Sequence, residues 1–429
     1  MAQARDPVRE IIDASAPLRA EERRVVHEED PARDLTAEAL RRKLDALAAG
    51  PFSFFRGTFH LMATDLVQER VPGSAPSAPE ALVVGDLHLE NFGTFRGASG
   101  ELCFDVTDFD HAGAGPVDLD LKRLCTSAML LPGIERGRRL AAAQAIARAW
   151  SEGVERLGGR FPISPWGLDK AEGWLARLLR EKGRRTREEL VTKVAPGKGA
   201  RRFGEDGDPP KFAHAAKPWP AMVEAALGEY YDHLKQLKAE RPGKDWELFD
   251  VAYRFKGIGS LGRFRFAVLL GNGDERMLLE LKEAHPSGIE AARNLRQAPG
   301  GRRERAQTAS IRRMQGDPWP RIAGTHLGEL PALVREIEPE EEKLGAARFA
   351  AAVDDDGHEQ LSAYARQCGE VLARLHCRVN APAMLDAVWN PRHAADAAVA
   401  FAQDYAAVVE ADWSAFVKAR DRVSKELGL

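Results

Sequence analysis

No two cysteines of this chain stand at a Cys-x-x-Cys spacing. The four present are Cys103, Cys125, Cys368 and Cys377, each among apolar neighbours. That excludes a zinc finger, a dithiol redox motif and a disulfide framework, and reads as small buried hydrophobes in a reducing, cytoplasmic compartment. Charge of one sign is lacking too: 62 Lys and Arg are interspersed with 65 Asp and Glu, for a net charge of −3. The one-signed patch of a nucleic-acid binder is therefore missing. No apolar run approaches a membrane span. The start, Met1-Ala2-Gln3-Ala4-Arg5-Asp6, is charged and has no secretory core behind it. Neither nucleic acid nor membrane is expected as a partner. Aromatics are sparse at 7%, so Pro51-Phe52-Ser53-Phe54-Phe55-Arg56-Gly57 stands out. With 44% hydrophobic residues over 429 positions, the chain exceeds a single typical core.

Against that plain background one stretch is dense in chemistry. Val83-Val84-Gly85-Asp86-Leu87-His88-Leu89-Glu90-Asn91-Phe92-Gly93 reads as a buried strand, 81–84, that breaks at Gly85 into a polar loop. Phe104-Asp105-Val106-Thr107-Asp108-Phe109-Asp110 follows, a second strand (102–106) ending in carboxylates. Asp86, Asn91 and Asp108 thus bring three oxygen-bearing side chains to one loop edge. Singly each is an ordinary turn residue. As an ordered set they suit Mg²⁺, a hard cation that keeps several waters and is shared with substrate phosphates. Glu90, Asp105 and Asp110 add negative charge, with Asp110 a further metal candidate. Arg56, a cation beside aromatics, calls for an anionic partner or a phosphate. His88 reads as a hydrogen-bonding member of the loop rather than a metal ligand.

A second motif lies far along the chain. Gly257-Ile258-Gly259-Ser260-Leu261-Gly262 is a Gly-x-Gly-x-x-Gly, weak evidence alone. A dinucleotide fold needs a helix directly after it. Here a strand-like run, Arg263 to Leu270, follows instead, then Gly271-Asn272-Gly273 with hairpin turn chemistry and a return strand, 277–281, carrying Lys282. A glycine loop in a hairpin, with a lysine on the next strand, is a phosphate cradle. The glycine loop and its strand lysine resemble those of protein kinases, and that resemblance implies a following helix, beginning near Pro286, that offers Glu290 to the lysine; Glu283 points to the opposite strand face.

Elsewhere Thr36-Ala37-Glu38 reads as a capped helix start, and helices are expected over 118–131, 137–157, 167–179 and 221–238. Residues 196–220, rich in Gly, Pro and Lys, read as a long lid or linker. Residues 302–313 read as part helix and part strand, 330–337 as a last strand, and 338–342 as an acidic hinge.

Asp-x-x-x-x-Asn followed by a strand-borne Asp resembles the catalytic and metal-binding loops of kinases. More narrowly, GDLHLENFG with DFDHAGAGPVDLDL resembles the aminoglycoside and choline phosphotransferase branch of the kinase-like fold. As a whole the chain is similar to an uncharacterised bacterial family, the domain of unknown function 2252, through blocks that include PFSFFRG, GIGSLGRFRFAVLL, LELKEA and YARQCGEVLARLH. That branch usually has His before the Gly-Asp, where Val84 stands here. The resemblance implies an α+β, two-lobed protein kinase-like fold that binds ATP and Mg²⁺. In kinases the glycine loop precedes the catalytic loop, whereas here it follows it. The helix ending in Leu375-His376 resembles the one that leads into that loop. The implied arrangement is a circular permutation: 1–245 a helical catalytic-loop lobe, 246–342 a β-rich nucleotide lobe, and 343–429 closing helices.

The expected activity is Mg²⁺-dependent transfer from ATP to a hydroxyl-type acceptor. Asp86 would accept the proton, Asn91 and Asp108 hold the metal, and Lys282 grip phosphate oxygens, steadied by Glu290. Gly257, Gly259, Ser260 and Gly262 would let backbone approach the phosphates. Asp120 would brace the loop. A nucleotide-binding pseudokinase and a nucleotidyltransferase use the same parts. Gly85-Asp86-Leu87-His88 also fits a binuclear phosphoesterase, but the Gly-Asn-His that such enzymes need is missing.

Overall fold

The computed structural model describes residues 5–25, 33–74, 79–158, 162–197, 199–204, 211–215, 217–240, 246–295, 302–351, 355–380 and 390–429. Together they form an α+β fold with two main hydrophobic cores. The larger is built on four helices, Asp118–Met129, Arg136–Leu157, Asp355–Val379 and Pro391–Glu426. Leu124, Trp150, Leu372 and Phe401 meet inside it. Every residue of Asp118–Met129 is buried, so its charged members must find partners within the protein. No described helix is long and apolar enough to cross a membrane.

Two small sheets sit on this helical core. In the first, β1 (Glu80–Val83) pairs antiparallel with β4 (Gly113–Pro116). In the second, β2 (Phe92–Arg96) pairs with β3 (Leu102–Val106) and with the short β11 (Glu342–Lys343). β1 ends one residue before the sequence pattern indicates, because the Val84 N–H goes to the Asp120 carboxylate rather than to a strand.

The second core lies under a six-stranded antiparallel sheet, in the order β5-β6-β7-β8-β10-β9. Its strands are β5 (Phe212–His214), β6 (Glu247–Arg254), β7 (Arg265–Asn272), β8 (Glu275–Glu283), β9 (Ala323–Leu327) and β10 (Leu330–Glu336). Strand alternation decides what faces the site. Phe266, Val268, Leu279 and Leu281 pack under the helix Trp219–Gln236. The intervening Arg265, Glu280 and Lys282 look the other way. Arg265 lies directly across from Lys282, and Arg335 from Glu280.

Four sequence readings change. Thr36 is inside a helix that starts at Arg33. Residues 303–314 are helix throughout. The helix expected over 167–179 runs instead from Gly173 to Lys182. The 196–220 stretch carries β5 and the start of the Trp219 helix, while 198, 205–210 and 216 lie outside the described residues.

The acidic link after β10 has a titration of its own. Burial pushes Glu338 up to about 8, and Glu336, Glu341 and Glu340 add to the rise, against the bond it accepts from Arg96 N–H at 2.7 Å. The folded state thus keeps this proton from the ordinary carboxyl range up to about pH 8, and stability falls as pH climbs through that window. Glu338→Gln keeps the acceptor without the charge. It should match the wild type at pH 4 and exceed it at pH 9 by on the order of 1–3 kcal/mol in urea denaturation; an equal difference at both pH values would refute the assignment.

Candidate active site

The loop that leaves β1 is held from behind. Asp120, fully buried on the Asp118–Met129 helix, accepts the backbone N–H groups of Val84 and Gly85, both at 2.8 Å. His376 also reaches it, Nε2 to Oδ2 at 3.2 Å, while His376 Nδ1 accepts from Trp150 Nε1 at 3.1 Å. A tryptophan can only donate, so the imidazole proton sits on Nε2 and points to Asp120. Two distant helices thereby fix the backbone just before Asp86. Gly85 has φ +85°, and a Cβ there would run into the His111 carbonyl, which is why the break falls on glycine.

Asp86 itself accepts Arg123 Nε at 2.8 Å through Oδ1. Arg123 is fully buried, also donates to the Phe55 carbonyl at 2.8 Å, and lies over the Phe55 and Phe59 rings. No sequence motif marked Arg123; its signal was its place in a helix with no solvent-facing stripe. Asn91 donates its amide to the Asp86 carbonyl, which turns its own Oδ1 away from that contact. His88 Nδ1 accepts Glu90 N–H at 3.2 Å within the loop. Glu90 is the anionic partner of Arg56, at 2.5 Å. Asp105 faces away and accepts Gly316 N–H at 2.9 Å.

The sheet approaches from the other side. Lys282 on β8 pairs with Asp110 and lies 3.9 Å from Asp108. Burial lowers the Lys282 ammonium, but Asp110 and Asp108 outweigh that and leave it above its usual value. Desolvation likewise pushes Asp110 up, and the Lys282 charge overrides it, holding the carboxyl below its ordinary range. Glu290 does not join them. It closes a capping box with Ser287 at the start of its own short helix and pairs with Arg303 at 2.9 Å. The expected Lys282–Glu290 pair is thus replaced by Lys282–Asp110.

The turn between β6 and β7 hangs over the acids. Gly257, Gly259 and Ser260 line the same cleft as Asp86, Asn91, Asp108 and Lys282. A Cβ on Gly259 would lie 3.8 Å from Asp86 Oδ2. Gly262 does different work: it has φ +93° and packs on Leu40 and Leu18, away from that lining.

The cleft has a volume of about 230 Å³, and among the described residues Ile258 is its one aliphatic lining side chain. Further cations that sequence reasoning did not single out, Lys256, Arg265, Arg335 and Lys343, complete its wall. The Arg254 charge and then burial bring Lys256 down to about 7. Arg265 bridges Glu280, the Lys256 carbonyl and Ser260 Oγ. Among the described residues no three His, Cys, Asp or Glu side chains form a metal cage. Asn91 and Asp108 offer two oxygen donors beside a cationic wall. That donor set suits Mg²⁺ held jointly with phosphate oxygens rather than an all-protein site.

Fold and site define an α+β protein with a polar, highly charged cleft between an acid loop and a glycine turn. The family model described as "Uncharacterized protein conserved in bacteria (DUF2252)" matches residues 35–419, and the chain belongs to that family. No curated protein and no solved structure matches it.

Proposed function

We propose that the protein is a Mg²⁺-dependent phosphotransferase, a circularly permuted member of the kinase-like fold that moves the terminal phosphoryl group of ATP to a hydroxyl. The observation that carries this reading is the meeting of Lys282 with Asp108 and Asp110 beneath a glycine turn that overhangs Asp86. Two segments far apart in sequence supply the parts that phosphoryl transfer needs, positioning and charge neutralisation.

Chain order supports the permutation. The helix Asp355–Val379 ends beside β1, where Leu82 N–H donates to Asn380 Oδ1 at 3.4 Å. The chain could pass there from helix to acid loop directly, the order that kinases use.

In the reaction Asp86 aligns the acceptor hydroxyl and takes its proton. The acceptor oxygen bonds to the terminal phosphorus while the bond to the bridging oxygen breaks and ADP leaves. Lys282, with Arg265 behind it, neutralises phosphate oxygens, and backbone at Gly257 and Gly259 closes over them. Mg²⁺, held by Asn91 and Asp108, would supply charge neutralisation of the triphosphate.

Calorimetry with Mg²⁺ and a non-hydrolysable ATP analogue tests the reading. Asp108→Ala should weaken Mg²⁺-dependent binding by about tenfold or more. Because the cleft is polar and small, Mg²⁺-tripolyphosphate should bind within about tenfold of the analogue. No binding of either to the wild type would sink the proposal.

A further inference from the structure

A second, larger cavity, of about 560 Å³, adjoins the phosphate cleft and shares Arg56, Asp86, His111, Gly259 and His285 with it. Its charged lining residues are Asp13, Lys43, Arg56, Asp86 and Arg263. Four are already matched: Asp13 by Arg9 at 2.8 Å, Arg56 by Glu90 at 2.5 Å, Asp86 by Arg123 at 2.8 Å, and Arg263 by Glu283 at 2.9 Å. Lys43 is not. Among the described residues no carboxylate lies within ion-pair distance of it, and its hydrogen bond runs to the Gly259 carbonyl at 3.3 Å. Burial lowers its ammonium to about 8, with Arg263 adding to the fall and Asp86 opposing it, so it is still mainly a cation at pH 7. His60 lies in the same wall with a buried Nε2 that has no hydrogen-bond partner. Lys43 is half-buried, and a partly desolvated cation without a counter-charge within reach is unfavourable; a ligand in the cavity can supply one.

Much of the remaining lining is apolar: Ile11 and Leu18, from the helix Pro7–Val25, with Leu47, Phe59 and Leu295. Such a pocket, with hydrocarbon walls and a few placed polar groups, fits an amphiphilic small molecule.

We propose that this cavity is the acceptor site and that the acceptor is a hydroxylated organic acid with an apolar body. Its hydroxyl meets Asp86, its acid group pairs with Lys43, and its hydrocarbon lies against Ile11, Leu18 and Leu47. The assignment rests on the phosphotransferase reading for its reaction, though not for its binding preference.

The test uses three probes of one length that differ in head charge: hydroxyoctanoate, octanediol and aminooctanol. Binding is read by calorimetry on the full chain with Mg²⁺ and the ATP analogue present, and transfer is read separately with ATP. Hydroxyoctanoate should bind about tenfold or more tighter than the other two. Lys43→Met should erase that preference and leave octanediol binding unchanged, whereas Lys43→Arg should keep it. Three equal affinities, or no binding of any probe, would overturn the inference. So would a Lys43→Met variant that loses the ATP analogue but not hydroxyoctanoate, since the lysine would then serve the donor. Charge-selective binding without any transfer would leave the acceptor cavity standing and count against the phosphotransferase reading.

Discussion

Asp86→Asn should lower kcat by about 10²–10⁴-fold, the range for losing a general base, while the affinity for the Mg²⁺–ATP analogue stays within about threefold. The reason lies in how the carboxylate is placed. Oδ1 is occupied by Arg123, and Oδ2 is the oxygen nearer the glycine turn. Asparagine retains an oxygen for Arg123 and removes the basic group. It also leaves the fully buried guanidinium facing an amide, with the Phe55 carbonyl and two aromatic faces as remaining support. Some stability should therefore be lost, and activity must be measured well below the melting temperature. Adding Arg123→Met to Asp86→Asn removes the orphaned charge, so stability should recover while turnover does not. An Asp86→Asn variant with wild-type turnover would discard Asp86 as the base.

Asp120→Ala should cost about 3–5 kcal/mol, the scale for breaking a buried charged contact from one side. One carboxylate satisfies two buried backbone N–H groups and the His376 imidazole, which in turn accepts from Trp150. Deleting it leaves these groups without their acceptor in a fully buried place. Asp120→Asn keeps one acceptor oxygen and should lose less, on the order of 1–3 kcal/mol. Urea denaturation compares the three proteins. A loss below about 1 kcal/mol for Asp120→Ala would mean that the loop is held by something else.

Much of the acid loop was legible because its signals are local. Gly85 breaks a strand, and Asp, Asn and Gly mark the turns; the strand that carries Lys282 follows from alternation about a hairpin turn. Long-range pairing was not legible. Resemblance to kinases points Glu290 at Lys282, yet Ser287-Gly288-Ile289-Glu290 already spells a capping box that engages that glutamate locally. Arg123 and Lys43 sit in helical stretches whose faces are decided by packing against segments far away in sequence. The three glycines of the turn look alike on paper. In the fold two line the cleft and Gly262 makes room for Leu40.

The contact between Lys282 and Asp110 sets the terms on which the lysine meets any other anion. For any phosphate that binds there, capture is an exchange of one anion for another, so affinity reflects only the difference between the two. Departure is eased for the same reason: Asp110 remains as a resident counter-ion, so release leaves no stranded charge on the lysine.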